Sequence, residues 1–350
     1  MGKIILITGG CGFIGSNLIQ FLLKKTKYKI INVDKLTYAG NIKNLNKIKN
    51  HPRYFFVKKD IANFLEIKKI FFKFNPTHVI HLAAESHVDR SIDSPDVFVR
   101  TNILGTFNLL KVATYYHKKK KIKQFRFHHV STDEVYGDID LKSAPADENF
   151  SYKPNSPYSA SKASSDHFVK AWFKTYDLPI IISNCSNNYG PYQYPEKLIP
   201  HVILCAVNKK KIPLYGDGNQ IRDWIHVDDH VRGILKVLFN GKIGETYNIG
   251  GNNQITNKQL VFTICDILDK KNKFFKEHKK LIDYVLDRPG HDRRYSLSTH
   301  KISKELNWYP KIKFKIGIKK TVNWYLNNSK WSEELIKKYK LKRVGIINGR

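Results

Sequence analysis

The chain of 350 residues is 41% apolar, with 20 Phe and 19 Tyr, enough to bury the core of one large domain or two closely packed ones, and this excludes a disordered chain. Its formal charge of +31, from 61 Lys and Arg against 30 Asp and Glu, would ordinarily suggest nucleic acid or an anionic membrane. The lysines are instead spread through almost every segment, and the basic runs Lys118–Lys121, Lys209–Lys211 and Lys337–Arg343 fall at expected helix ends or in the tail, where cations complement the helix dipole, so neither partner is expected.

Met1 to Thr8 passes straight into an apolar run, without the basic, hydrophobic and small-residue regions of a leader; no stretch approaches membrane-spanning length, and a cytoplasmic protein is expected. Lys3–Thr8 predicts a strand and Phe13–Lys24 a helix, joined by Gly9-Gly10-Cys11-Gly12-Phe13-Ile14-Gly15. That segment satisfies Gly-x-Gly-x-x-Gly from Gly10 and Gly-x-x-Gly-x-x-Gly from Gly9. Either way, glycines between strand and helix permit a tight turn and close approach of backbone to a pyrophosphate at the helix N-terminus. The next strand, Ile30–Asp34, ends on a carboxylate that can accept bonds from an adenosine ribose and repel a 2′-phosphate, which favours NAD over NADP.

Further strands are predicted at Tyr54–Lys58, His78–Leu82, Phe125–Ser131 and Ile180–Cys185, and helices at Ala62–Phe74, Val97–His117 and Tyr158–Tyr176. This alternation predicts an α/β fold of the Rossmann type: a doubly wound parallel sheet that binds ligands beyond the carboxyl ends of its strands. At one such end, Ser131-Thr132-Asp133-Glu134-Val135-Tyr136-Gly137 sets a hydroxyl beside two adjacent acids. Tyr158 and Lys162 follow on one helical face, four residues apart. A phenol, a lysine, an acid and a base can between them oxidise an alcohol, remove a proton and expel water. Lys162 and a bound nicotinamide are expected to lower the Tyr158 pKa so that it can act as a base.

Beyond Asn187 the pattern loosens into loops rich in Gly, Pro, Tyr and Asn, with shorter elements at His201–Lys209, Asp229–Phe239, Asn257–Leu268 and Lys315–Asn327. We read residues 1–186 as a cofactor-binding domain, 187–328 as a smaller substrate-binding α/β lobe and 329–350 as a basic tail. A strand and helix near 224–239 are expected to return to the main sheet. Cys11, Cys185, Cys205 and Cys265 lack metal-ligand spacing, so reduced thiols and no metal are expected.

These features resemble the extended short-chain dehydrogenase/reductase superfamily, and within it the chain is similar to the nucleoside-diphosphate-glucose 4,6-dehydratases, most of all those of dTDP-glucose. The resemblance runs from Lys3 to Tyr325 and is carried by Thr8–Asn17, Asp34–Asn41, Leu82–Ile92, Ser131–Gly137, Tyr158–Lys162, Asn184–Pro200, Pro213–Asp229 and Asp287–Tyr295. Cys11, His226 and Gln254-Ile255 depart from the commonest family forms.

The resemblance implies NAD held by Gly9, Gly12, Phe13, Ile14, Gly15, Asp34, Lys35, Thr37, Asp60, Ile61, Ala83, Ser86, Thr101, Tyr158 and Lys162. It implies dTDP- or UDP-glucose as substrate, held by Ser86, Thr132, Asn187, Glu196, Lys197, Leu198, Pro213, Tyr215, Arg222, Asn257, Arg288 and His291. Arginines suit a diphosphate because the planar guanidinium pairs with two oxygens. The implied catalytic set is Thr132, Asp133, Glu134, Tyr158 and Lys162. Tyr158 takes the C4 hydroxyl proton, Glu134 the C5 proton, and protonated Asp133 serves the departing C6 hydroxyl. A homodimer through the helices around Val97–His117 and Tyr158–Tyr176 is the family expectation. The alternatives are a UDP-glucose 4-epimerase or UDP-glucuronate decarboxylase on the same scaffold, and a catalytically silent NAD-binding regulator.

Overall fold

Strand pleat sorts the apolar residues of the first strand to two opposite faces. In the computed structural model, which describes residues 2–271, 275–339 and 341, β1 (Ile4–Thr8) is followed by α1 (Phe13–Lys25), β2 (Lys29–Asp34), β3 (Tyr54–Lys58), α2 (Phe64–Phe74) and β4 (His78–His81). Next come α3 (Val88–Asp93), α4 (Pro95–Phe98), a π-helical turn (Val99–Leu104), α5 (Gly105–Lys120), β5 (Arg126–Thr132), a 3-10 turn (Asp133–Tyr136), α6 (Pro157–Tyr176) and β6 (Ile180–Cys185). Leu6, Ile31, Val33, Val79, Phe127, Ile180 and Ile182 face α2, α5 and α6, packing on Phe71, Leu109, Tyr116, Val169 and Trp172. Ile5, Ile7, Ile30, Ile80 and Val130 face the opposite way, onto Leu18 and Leu22 of α1 and Val231 and Ile234 further along the chain.

The second half adds β7 (Asn187–Tyr189), α7 (Leu198–Val207), β8 (Ile212–Tyr215), β9 (Ile221–His226), α8 (Val227–Asn240), β10 (Thr246–Ile249), β11 (Gln254–Thr256), α9 (Asn257–Lys271), β12 (Ile282–Val285), α10 (His300–Leu306), α11 (Phe314–Asn327) and α12 (Ser329–Tyr339). Seven strands form one parallel sheet in the order β10-β6-β5-β4-β1-β2-β3. The chain builds outward from β1 on one side and restarts at β4 on the other, so the switch point lies between the carboxyl ends of β1 and β4.

Three sequence expectations need correction. Of the pair expected to return near 224–239, only the helix does so: α8 packs on the main sheet, whereas β9 joins β7 and β11 in a separate three-stranded sheet. The strand that returns is β10, parallel to β6. The helix expected over Val97–His117 is interrupted by the π-helical turn, which directs Thr101 into the cofactor cleft and lets Asn102 tie Glu85 to Ser161. The expected tail is in part α12, whose Trp331 donates to Asn44 at 2.9 Å, whose Trp331 and Ile336 pack with Ile318, Val322 and Tyr325 of α11, and whose Leu335 is buried; 340 and 342–350, with part of the basic run, lie outside the described residues. Among the described residues no helix is long and apolar enough to cross a membrane, and no cluster of three or more His, Cys, Asp or Glu is placed to hold a metal.

Candidate active site

At the switch point the backbones after β1 and β4 nearly touch. Gly9 has φ +73°, and a Cβ there would lie 2.7 Å from Ala83; a Cβ on Gly15 would lie 2.4 Å from the Gly9 carbonyl. Only glycine fits either position. The first turn of α1 has no side-chain cap at Gly12 and no acidic residue, so its amides and positive dipole end face the cleft as an anion site. Phe13, Ile14, Lys35, Thr37, Ile61, Ala83, Ser86 and Thr101 line the same cleft with Gly9, Gly12 and Gly15. Asp34 is fixed at its edge by amides of Leu36 (2.8 Å) and Cys11 (2.9 Å). Thr101 Oγ1 is buried without a hydrogen-bond partner among the described residues, leaving it for a bound group. This donor and acceptor set fits a dinucleotide. Asp60 stands back from the lining, caps Ala62 and pairs with Lys35 at 3.4 Å.

The cleft floor is the end of β5. Thr132 is extended and caps the 3-10 turn by accepting the Glu134 amide at 3.3 Å, which places Asp133 and Glu134 against the cavity. Thr132 also donates to Asp133 Oδ1 at 3.3 Å, while Asp133 Oδ2 and Glu134 Oε2 have no partner among the described residues. Burial and the neighbouring Glu134 charge push the Asp133 carboxyl well above the ordinary carboxylate range. Burial raises Glu134 too, but Arg288, Lys197 and Arg222 pull it back. The pair is thus biased toward a neutral Asp133 beside a Glu134 closer to ionisation.

Tyr158 is 7% exposed and lines the same cleft as Thr132. Burial and the Glu134 charge push its phenol well up. Lys162 Nζ is occupied with the Val130 carbonyl at 3.0 Å and His129 Nε2 at 3.4 Å, and burial lowers its own pKa. Beneath it Asp166 lies 3.1 Å from His129 and accepts from Ser131 (2.8 Å) and Tyr152 (3.0 Å). This buried carboxylate was not singled out in the sequence, although it sits one helical turn beyond Lys162 on α6.

The cleft continues past Glu134 into the second half, lined by Asn187, Lys197, Leu198, Pro213, Tyr215, Arg222, Asn257, Arg288 and His291. Arg288 pairs with Asp89 at 2.8 Å, and its buried Nε has no partner among the described residues. Arg222 donates to the Ile221 and Asp292 carbonyls and lies over the Tyr295 ring. Two guanidiniums in one buried pocket suit a diphosphate. His291 bonds Asp287 at 2.6 Å, and burial together with both arginines lowers its pKa to about 4. Glu196 lines both clefts, and its carboxylate accepts from Tyr38 and from Arg90, each at 2.8 Å, tying the loop after β2 to the start of α7. Sequence reasoning passed over Tyr38, Asp89, Arg90, His201, Tyr295 and Tyr339. Tyr38, Asp89, Arg90 and Tyr295 lay within the segments that carry the resemblance, but Tyr339 reaches the cleft only because α12 folds back.

The family model described as GDP-mannose 4,6 dehydratase matches residues 6–321. A dTDP-glucose 4,6-dehydratase of Salmonella typhimurium is 53% identical over 338 residues, covering 93% of this chain and 94% of its own. The dTDP-glucose 4,6-dehydratase of Bacillus anthracis, solved in complex with NAD, is 45% identical with a TM-score of 0.85 and covers 95% of this chain and 100% of its own. DesIV, a dTDP-glucose 4,6-dehydratase of Streptomyces venezuelae solved with NAD and TYD bound, is 43% identical with a TM-score of 0.88 and the same coverage.

Proposed function

This chain belongs to the GDP-mannose 4,6 dehydratase family as a relative of the dTDP-glucose 4,6-dehydratases, and we propose that it converts dTDP-glucose to the 4-keto-6-deoxy sugar with NAD as a recycled cofactor. The observation that carries this reading is the adjacent pair of a buried Asp133 in the glycine-loop cleft and a half-buried Glu134 that lines both that cleft and the arginine-lined one. An epimerase or decarboxylase on this scaffold needs the tyrosine but has no use for two adjacent acids that expel water. A silent cofactor-binding regulator has no use for either.

Gly9, Gly12 and Gly15 with the α1 amides hold the cofactor pyrophosphate, Asp34 its ribose, and Arg222 and Arg288 the diphosphate of the substrate. When bound, NAD supplies a temporary store for the hydride that leaves C4 and reaches C6. Tyr158 Oη takes the C4 hydroxyl proton while Thr132 hydrogen-bonds the same oxygen, and Lys162 balances the phenolate. The resulting ketone acidifies C5, Glu134 removes that proton, and Asp133 protonates the departing C6 hydroxyl to release water. Residues 1–186 and 187–328 act as cofactor and substrate halves. Leu104 and Tyr115, both exposed, with Phe107 and Phe168 between α5 and α6, support an isologous dimer through these helices. Four unpaired, buried cysteines suit the reducing cytoplasm, where we place the protein.

Incubation with dTDP-glucose deuterated at C4 tests the reading. The product is expected to have lost one water and to carry the deuterium at C6 of the same molecule. Unchanged hexose, or label lost to solvent, would overturn it.

A further inference from the structure

The dehydration proposed above, on which this inference rests, cannot let its cofactor go in mid-cycle. Between C4 oxidation and the return of hydride the site holds a reduced dinucleotide and an oxidised sugar, and loss of either strands the other. Lys35, Thr37, Ala39 and Gly40, in the loop after β2, line the cofactor cleft, and Tyr38 of the same loop reaches across to the second half of the chain.

There Tyr38 Oη donates to Glu196 Oε1 at 2.8 Å, Nε of Arg90 on α3 donates to Glu196 Oε2 at 2.8 Å, and the Arg90 guanidinium lies 3.9 Å from the centre of the Tyr38 ring. Three segments far apart in sequence thus close on one carboxylate. The Glu196 side chain is 1% exposed. A carboxylate so buried is costly unless its oxygens are served, which holds the arrangement closed. Glu196 lines both clefts, and next to it Lys197 and Leu198 line the substrate cleft, where Lys197 Nζ donates to the Ser86 carbonyl.

We propose that Glu196 is a positioning residue shared by the two ligands: it straps the cofactor loop to the segment on which the nucleotide sugar sits, so that each ligand holds the other in place. A sugar nucleotide seated against Lys197 and Leu198 fixes the adjoining Glu196, which fixes Tyr38 and with it the loop beside the cofactor. Linkage makes the effect reciprocal, since NAD that orders the loop presents Glu196 and its neighbours to the sugar nucleotide. The stored hydride is thereby kept with the sugar it must rejoin.

The test uses the full chain loaded with radiolabelled NAD and transferred into excess unlabelled NAD, with and without dTDP. In wild type, dTDP should slow the escape of label by ~30-fold; in Tyr38→Phe, which removes one oxygen and keeps the ring, it should do so by only ~3-fold, the difference being one hydrogen bond to a buried charge. Glu196→Gln should act as Tyr38→Phe does, and the double variant should be no worse than either, because both cut one connection. Given dTDP-glucose, Tyr38→Phe should also shed NADH and the 4-keto hexose nucleotide into solution, which wild type should not. If Glu196→Gln misfolds, as checked by its thermal melt, Tyr38→Phe carries the comparison alone. Equal slowing by dTDP in wild type and Tyr38→Phe would mean that Tyr38 only stabilises its loop and would overturn the strap, as would wild type whose NAD escapes equally fast with and without dTDP. Wild type that retains NAD as expected yet leaves dTDP-glucose unchanged would instead overturn the dehydratase reading.

Discussion

Asp133 and Glu134 are neighbours in sequence, yet they face different charges: Arg288, Lys197 and Arg222 act on Glu134, while Asp133 feels chiefly burial and the carboxylate next to it. Their roles should therefore separate on substitution. Glu134→Gln is expected to oxidise the sugar at C4 and stall, so the ketohexose nucleotide accumulates without loss of water, with turnover down by ~100-fold or more. Tyr158→Phe should stop before oxidation and leave the hexose intact. Mass spectrometry of quenched mixtures distinguishes the two, and normal dehydration by Glu134→Gln would remove the base assignment. The sequence revealed these residues because the acids adjoin one another and Tyr158 and Lys162 sit one turn apart. It did not reveal that the Glu196 carboxylate turns to Tyr38 and Arg90, since those partners are 158 and 106 residues away. Nor did it reveal that Lys162 is engaged by the Val130 carbonyl and His129, because helical spacing places two side chains on one face without saying what else competes for them.

At the scale of elements, β1 to β6 were legible to within one or two residues because central parallel strands, buried on both faces, read as dense apolar runs. β10 was not: Thr246–Ile249 is four residues long, lies between Gly244 and Gly250, and becomes a strand only by pairing with β6. The small sheets of β7, β9 and β11 and of β8 and β12 share that difficulty, as their strands run from three to six residues and pair across long intervals. α12 was obscured by its many charges. Its apolar side is nevertheless specific: Trp331 packs with Trp324 and Tyr325 at centroid distances of 5.0 and 6.1 Å, Lys43 pairs with Glu334 at 2.6 Å, and Tyr339 lines the substrate cleft beside His201. A chain ending at residue 328 should thus lose about 2–4 kcal/mol through the uncovered Trp331 site and Leu335. It should also show a raised KM for the nucleotide sugar. Denaturant melts and steady-state kinetics would check both, and a truncated chain with unchanged KM would remove Tyr339 from the cleft's working surface.

Across the whole molecule, protonation acts with the charge of +31 rather than against it. Ten of the 14 histidines are held below their ordinary pKa, mainly by burial; His78, His87 and His129 fall to about 4, and His128 and His230 to about 3. They are neutral in the fold and titrate near ~6.5 once unfolded. Below that pH the unfolded chain binds more protons, so their contribution to stability is complete above ~6.5 and is lost as the pH falls toward the native values. Asp34, Glu85, Asp133, Glu134 and Glu148 work the other way, because burial raises their pKa and lets the native state keep protons that the unfolded state releases. The histidines outnumber them two to one, and each new positive charge adds self-repulsion to a chain already strongly basic. Stability should therefore drop by several kcal/mol between pH 7.5 and 5.5, at about 1.4 kcal/mol per pH unit for each excess proton the unfolded chain binds. Guanidinium midpoints at the two pH values measure this directly. A midpoint that holds or rises at pH 5.5 would mean that the buried imidazoles accept protons within the native fold.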